Sequence, residues 1–110
     1  MPKIFVKPLT VNRAWQGIKF RTSQNAAYTT ECLLKLPDIV LPEPPYEVHY
    51  VFGLSTSLAD WDNPIKPFQD ILQKRYGFND KDIFRAVVEK VKTQKGEEFV
   101  YFDIKNLTVP

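Results

Sequence analysis

The sequence predicts an α+β fold, a mixed four-stranded sheet with two helices on one face in the order β-α-β-α-β-β. Three observations predict it: two stretches repeat apolar residues at three- to four-residue steps, four others carry strand-like residues, and Pro, Gly or polar segments separate them. Two amphipathic helices and a sheet of this size each have one apolar side, and covering one with the other buries both.

Residues 3–7 alternate weakly and stop at Pro8, which suits a short first strand. Residues 9–23 hold no sustained period and read as a loop or small ribbon carrying Arg13, Lys19 and Arg21. From 24 to 36, Ala27, Tyr28, Cys32 and Leu36 share one helical face, with Thr22 or Ser23 available as N-cap. Cys32 has no base or second thiol near it in sequence and is assigned to the core. Pro37, Pro42, Pro44 and Pro45 stiffen the next connection.

Tyr46–Leu54 alternates, with Val48, Tyr50, Phe52 and Leu54 on one face and Glu47, His49 and Val51 on the other. His49 is assigned a surface or packing role. Residues 67–76 place Phe68, Ile71, Leu72 and Tyr76 on one helical stripe, and Gly77 is the expected stop. Ile83–Lys92 and 97–105 read as strands, and Thr93-Gln94-Lys95-Gly96 between them carries the glycine of a hairpin turn.

At 110 residues the chain fits one domain spanning 1–110. Its 44% hydrophobic and 25% charged composition excludes the disordered and collagen-like classes. No apolar run approaches the about 20 residues that cross a bilayer, so no membrane association is expected. The start, with Lys3 and Lys7 around a short apolar run, does not resemble a secretory leader. A single cysteine excludes an intramolecular disulfide and Cys-rich zinc sites, and points to a cytoplasmic location. Charge is segregated. Residues 1–36 carry six basic side chains against Glu31 alone, whereas 36–65 carry Asp38, Glu43, Glu47, Asp60 and Asp62 and no Lys or Arg. A basic arm and an acidic centre suggest two jobs, although solvated loops would show the same pattern.

The segment Asp60-Trp61-Asp62-Asn63-Pro64-Ile65-Lys66-Pro67 is the most informative in the chain. In extended backbone, residues two apart point to one side, so Asp60 and Asp62 can present both carboxylates to one point. Two such charges repel unless a cation neutralises them, and aspartates without histidine suit Mg²⁺ or Mn²⁺ better than Zn²⁺. Asn63 is a candidate N-cap with Pro64 at the first helical position, or the regular helix begins near Pro67. Either arrangement sets a helix N-terminus beside the carboxylates, where N–H groups and Lys66 can receive a phosphate. Asp80 starts at the far end of that helix, and spacing alone does not bring it to the pair. The plainer alternative is that Asp60 and Asp62 cap a helix, Asp80 and Asp82 lie in a turn, and none binds metal.

The string Asp60-x-Asp62-Asn63-x-x-Lys66, followed by Asp70-Ile71-Leu72, Gly77 and Asp80-x-x-Ile83, resembles the RusA family of Holliday-junction resolvases. Upstream, Pro8 and Asn12-Arg13 are similar to that family's opening strand and turn. The resemblance implies that Asp60, Asp62 and Asp80 hold a catalytic Mg²⁺, replaceable by Mn²⁺, with Lys66 at the scissile phosphate and Asp82 an alternative to Asp80. It implies hydrolysis of DNA phosphodiesters at four-way junctions by a homodimer, in recombination and repair of a prophage-associated kind. Arg13, Lys19, Arg21 and Lys66 then become DNA contacts, and Trp15, Phe20 and Trp61 candidates for stacking on bases. Where well-studied relatives carry an arginine-rich loop before the motif, this chain has the uncharged Ser55-Thr56-Ser57-Leu58-Ala59. A non-catalytic nucleic-acid-binding scaffold and a nuclease for other branched DNA are the alternatives.

Overall fold

The computed structural model describes residues 2–9, 18–56, 61–62 and 64–108, with side chains described from residue 24 onward in the first helix. Its elements are β1 (Lys3–Ile4), α1 (Ile18–Lys35), β2 (Tyr46–Leu54), α2 (Ile65–Tyr76), β3 (Ile83–Lys92) and β4 (Phe99–Asn106), with a 3₁₀ turn at Asp80–Asp82. Two helices and a mixed four-stranded sheet in β-α-β-α-β-β order are the α+β architecture expected from the sequence.

The sheet order is β1-β4-β2-β3. The long central strand β2 pairs parallel with β3 and antiparallel with β4. This corrects the hairpin expected at residues 93–96: β3 and β4 are not neighbours, because β2 lies between them. The burial patterns give the physical reason. Val100, Phe102 and Ile104 of β4 are buried on one face, as an inner strand requires, whereas most of β3 is exposed and suits an edge.

Tyr46, Val48, Tyr50, Phe52 and Leu54 all project from β2 into the core, as the period of two predicts. Phe68 of α2 meets the rings of Tyr50, Phe52 and Phe102 at centroid distances of 5.8, 6.0 and 5.8 Å in edge-on geometries. Ile71 and Leu72 complete the buried stripe of α2. Gly77 ends the helix in the left-handed conformation at φ 77°, donating its N–H to the Gln73 carbonyl.

The first helix begins six residues earlier than its apolar period suggests, so Thr22 and Ser23 lie within it rather than capping it. Much of the basic arm is therefore helical backbone, including the positions of Lys19 and Arg21. Its core stripe is Tyr28, Cys32 and Leu36, while Ala27 is exposed. Cys32 is wholly buried, and burial pushes its thiol pKa up to about 11, in keeping with a packing role. β1 is shorter than expected, although the Pro2 carbonyl still accepts from the Phe102 N–H at 3.1 Å.

The β3–β4 connection passes over the C-terminal end of β2. Thr93 N–H donates to the Leu54 carbonyl at 2.8 Å, and Gly96, at φ 91°, occupies the turn. Phe99 then crosses directly above Gly53. A Cβ at Gly53 would fall on the Phe99 ring and within 2.9 Å of Thr93 Cγ2, so this crossing needs glycine. Gly53→Ala is expected to destabilise the fold by about 1–3 kcal/mol through overpacking. A urea melt checks it, with a lower midpoint and an unchanged slope as the expected result.

Candidate functional site

Three local devices build the segment that carries the aspartate motif. At its entrance, Ser55 follows directly on β2, and its hydroxyl donates to Glu98 Oε2 at 2.7 Å. Glu98, only 8% exposed, also accepts the Gly96 N–H through Oε1 at 2.9 Å. The Ser55 hydroxyl first, and backbone N–H groups after it, hold the Glu98 carboxyl below the usual range. The chain entering the motif is thereby fastened to the crossover beyond β3.

At the start of α2, Ile65 N–H donates to the Asp62 carbonyl at 3.2 Å, turning the chain into the helix. Pro64, fully buried, occupies the N-cap position in helical geometry, and no side chain caps the helix. This corrects both expected helix starts: Pro64 is not the first helical residue, and the regular helix already includes Ile65, Lys66 and Pro67. Pro67 is accommodated because a first-turn residue has no intrahelical acceptor for its missing N–H. Asn63 lies outside the described residues.

Beyond α2, Phe78 is buried edge-on against Tyr46 at 5.8 Å, fixing the chain after the Gly77 turn. Asn79 then caps the 3₁₀ turn by accepting the Lys81 N–H at 3.0 Å. Asp80 and Asp82 sit in that turn, as the plainer sequence alternative also has them.

Among the predicted site residues, Asp60 and Arg13 lie outside the described residues, as do the side chains of Lys19 and Arg21. Asp62 is exposed in the turn before α2. Lys66 is exposed on the first turn of the helix, with Nζ 2.8 Å from Asp70 Oδ1. Asp70 raises the Lys66 pKa chiefly through this hydrogen bond, and the Asp80 charge adds to the effect. The Asp80 charge is the smallest of these contributions, and Lys66 makes its hydrogen bond to Asp70 rather than to Asp80. Asp70 was missed as a functional neighbour, although its place four residues after Lys66 is a readable helical pairing signal.

Trp61, beside Asp62, is 58% exposed, so its indole is open to a partner. His49 is on the opposite face of the sheet, with Nε2 2.8 Å from Glu89 Oε2 and its ring edge-on to Tyr101 at 5.5 Å. It takes the surface packing role expected of it. Among the described residues, no group of three His, Cys, Asp or Glu side chains is placed to hold a metal ion. Asp62 and Asp80 are both exposed, and their carboxylate oxygens are of the type that suits a hard divalent ion. No helix among the described residues is long and apolar enough to cross a membrane. Compared with family models and with curated proteins, the chain matches none.

Two outcomes follow from these contacts. Asp70→Asn is expected to lower the Lys66 pKa toward that of an ordinary lysine, as followed by NMR titration of its ammonium group. Glu98 has a depressed folded-state pKa, so its stabilisation is present above the unfolded carboxylate pKa and lost as pH falls through the folded one. Glu98→Gln is expected to flatten the acid limb of thermal stability below about pH 4.5, as read from melting temperatures against pH.

Proposed function

We propose that this chain is a metal-dependent endodeoxyribonuclease that resolves four-way DNA junctions as a homodimer, acting in the cytoplasm in recombination and repair of a prophage-associated kind. The observation that carries the proposal is the ordered motif Asp60-x-Asp62-Asn63-x-x-Lys66 followed by Asp80, with Asp62 and Lys66 exposed at the N-terminal end of α2. That arrangement suits the residue roles implied by the resemblance to RusA-like resolvases.

Asp60, Asp62 and Asp80 would hold Mg²⁺, or Mn²⁺ in its place. When bound, the ion supplies positive charge at the phosphate and lowers the pKa of a water. Hydrolysis then joins the water oxygen to phosphorus as the bond to one sugar oxygen breaks and that oxygen gains a proton. Lys66 favours the transition state by donating to a phosphoryl oxygen as charge builds there. Its ammonium has three N–H donors, so it can keep Asp70 and still reach phosphate.

Arg13, Lys19 and Arg21 provide the basic arm for backbone contacts, and Trp61 an exposed ring for stacking. A two-fold dimer suits the substrate, because two equivalent sites can cut two symmetric strands. The uncharged 55–59 segment favours a second reading, in which junction selectivity differs from that of RusA-like resolvases or the chain binds branched DNA without cutting it.

Cleavage of a synthetic four-way junction and a matched linear duplex, with Mg²⁺ or EDTA, tests the proposal. Symmetric, Mg²⁺-dependent nicking of the junction alone is expected, with a loss of at least about 100-fold in Asp60→Asn and Asp62→Asn, whose junction binding is kept or improved. Binding without cutting under every condition replaces the nuclease with the scaffold, and equal cutting of both DNAs removes the junction as the substrate. Arg21→Ala is expected to weaken junction binding and to lower the slope of log affinity against log salt by about one. An unchanged slope removes Arg21 from the phosphate contacts.

A further inference from the structure

We propose that a cleft at one end of the sheet binds an unpaired segment of a nucleic-acid strand, with a base stacked on Phe5 and backbone phosphates at Lys3 and Lys92. The inference rests on the residues of the cleft and not on the aspartate motif.

The cleft has a volume of about 650 Å³, within the range of ligand sites. Lys3 and Phe5 line it from β1 and the residue after it, Lys92, Gln94 and Glu97 from the end of β3 and the crossover, and Phe99 from β4. Ile4, Val6 and Val100 are buried in the core, so Phe5 and Phe99, their chain neighbours, project from the face of the sheet that carries no helix. Lys3 and Lys92 enter from the two edge strands, with β4 and β2 between them. Strands three places apart in a sheet are about 14 Å from each other. The cleft is therefore lined across the sheet end, a longer reach than one small anion needs.

Lys3 Nζ lies 4.3 Å from the centroid of the Phe99 ring and 5.3 Å from that of Phe5. Ring faces attract an ammonium without neutralising it, so the charge is placed and still open to an anion. Among the described residues, neither Lys3 nor Lys92 forms an ion pair. Glu97 supplies one carboxylate against these two ammonium groups, and the lining stays net positive.

Phe5 is 59% exposed, although Lys35 of α1 holds its backbone by donating to its carbonyl. A ring held at its backbone and open to solvent, with cations on either side, stacks a base while its phosphates are neutralised. Gln94 adds an amide with both donors and an acceptor for a base edge. An acidic peptide would use the cations and leave the ring idle, so the strand accounts for more of the lining.

Fluorescence anisotropy of a labelled oligothymidylate of about ten nucleotides, in EDTA so that the aspartate motif carries no metal, tests the cleft. Phe5→Ala is expected to weaken binding about tenfold, with the slope of log affinity against log salt unchanged. Lys92→Gln is expected to lower that slope by about 0.7, and Glu97→Gln to tighten binding. Far-UV circular dichroism verifies that each variant folds, and the wild-type amide resonances of Gln94 and Glu97 are expected to shift as the oligomer is added. Wild-type affinity retained by both Phe5→Ala and Lys92→Gln overturns the proposal, as do Gln94 and Glu97 amides that stay unmoved. A glutamate-rich peptide or free thymidine monophosphate that displaces the oligomer at comparable concentration overturns the strand as the occupant. These readouts need no cleavage, so a cleft that binds while the junction stays uncut supports the site and removes only the nuclease.

Discussion

Phe68 is wholly buried against three other aromatic rings, Tyr50 and Phe52 of β2 and Phe102 of β4. Truncating a ring so placed typically costs about 3–5 kcal/mol, a large part of what a domain of this size has to spend. Its consequence is positional as much as energetic. Phe68 is on the first turns of α2, so the cluster clamps the N-terminal end of that helix to the middle of the sheet. Lys66 and Asp62, just before it in sequence, take their place from this contact. Gly77 and Phe78 then fix the other end, and through them the turn that holds Asp80.

The central place of β2 explains a second feature. A strand that pairs parallel on one side and antiparallel on the other has both backbone edges satisfied and must be crossed by the chain joining its neighbours. That crossing lies over Gly53, where Phe99 takes the space a side chain would fill. It also delivers Glu98 to Ser55. The segment entering the aspartate motif is thus fastened by a topological necessity of the sheet, and a buried carboxylate finds its hydrogen-bond donors there.

Much of this was legible in the sequence because the period was strong. The alternation of β2, the stripe of α2 and the stop at Gly77 each reflect one apolar face meeting one core, and each appears where expected. The early start of α1 was hidden because the three- to four-residue apolar period in the sequence begins only at Ala27, and residues 18–23 carry no sustained period. Strand order was hidden for a different reason. The turn at residues 93–96 is a local signal, whereas the choice of neighbour is made by burial: β4 is apolar enough on one face to lie inside, and β3 is not. Of the candidate site, the place of Lys66 on the first turn of α2 could be read from spacing, while Asp60 lies outside the described residues. Where the chain goes after α2 could not be read, since the placement of the Asp80–Asp82 turn depends on the αL residue Gly77 and the packing of Phe78 on Tyr46.

Asp70 gives the site a property beyond charge. An exposed lysine samples many rotamers, and ordering it at a phosphate costs conformational entropy at the moment of binding. The hydrogen bond to Asp70, one helical turn on, draws the ammonium along the helix surface before any ligand arrives. The Asp80 charge adds a smaller contribution to the raised Lys66 pKa. A phosphate bound as proposed above would share the ammonium with Asp70, so the arrangement would exchange some electrostatic strength for placement. A second positive charge among the aspartates would shift that balance. By drawing carboxylate density away from the ammonium, it would leave Lys66 freer to donate to a phosphoryl oxygen, which couples the acidic motif to the lysine without direct contact between them.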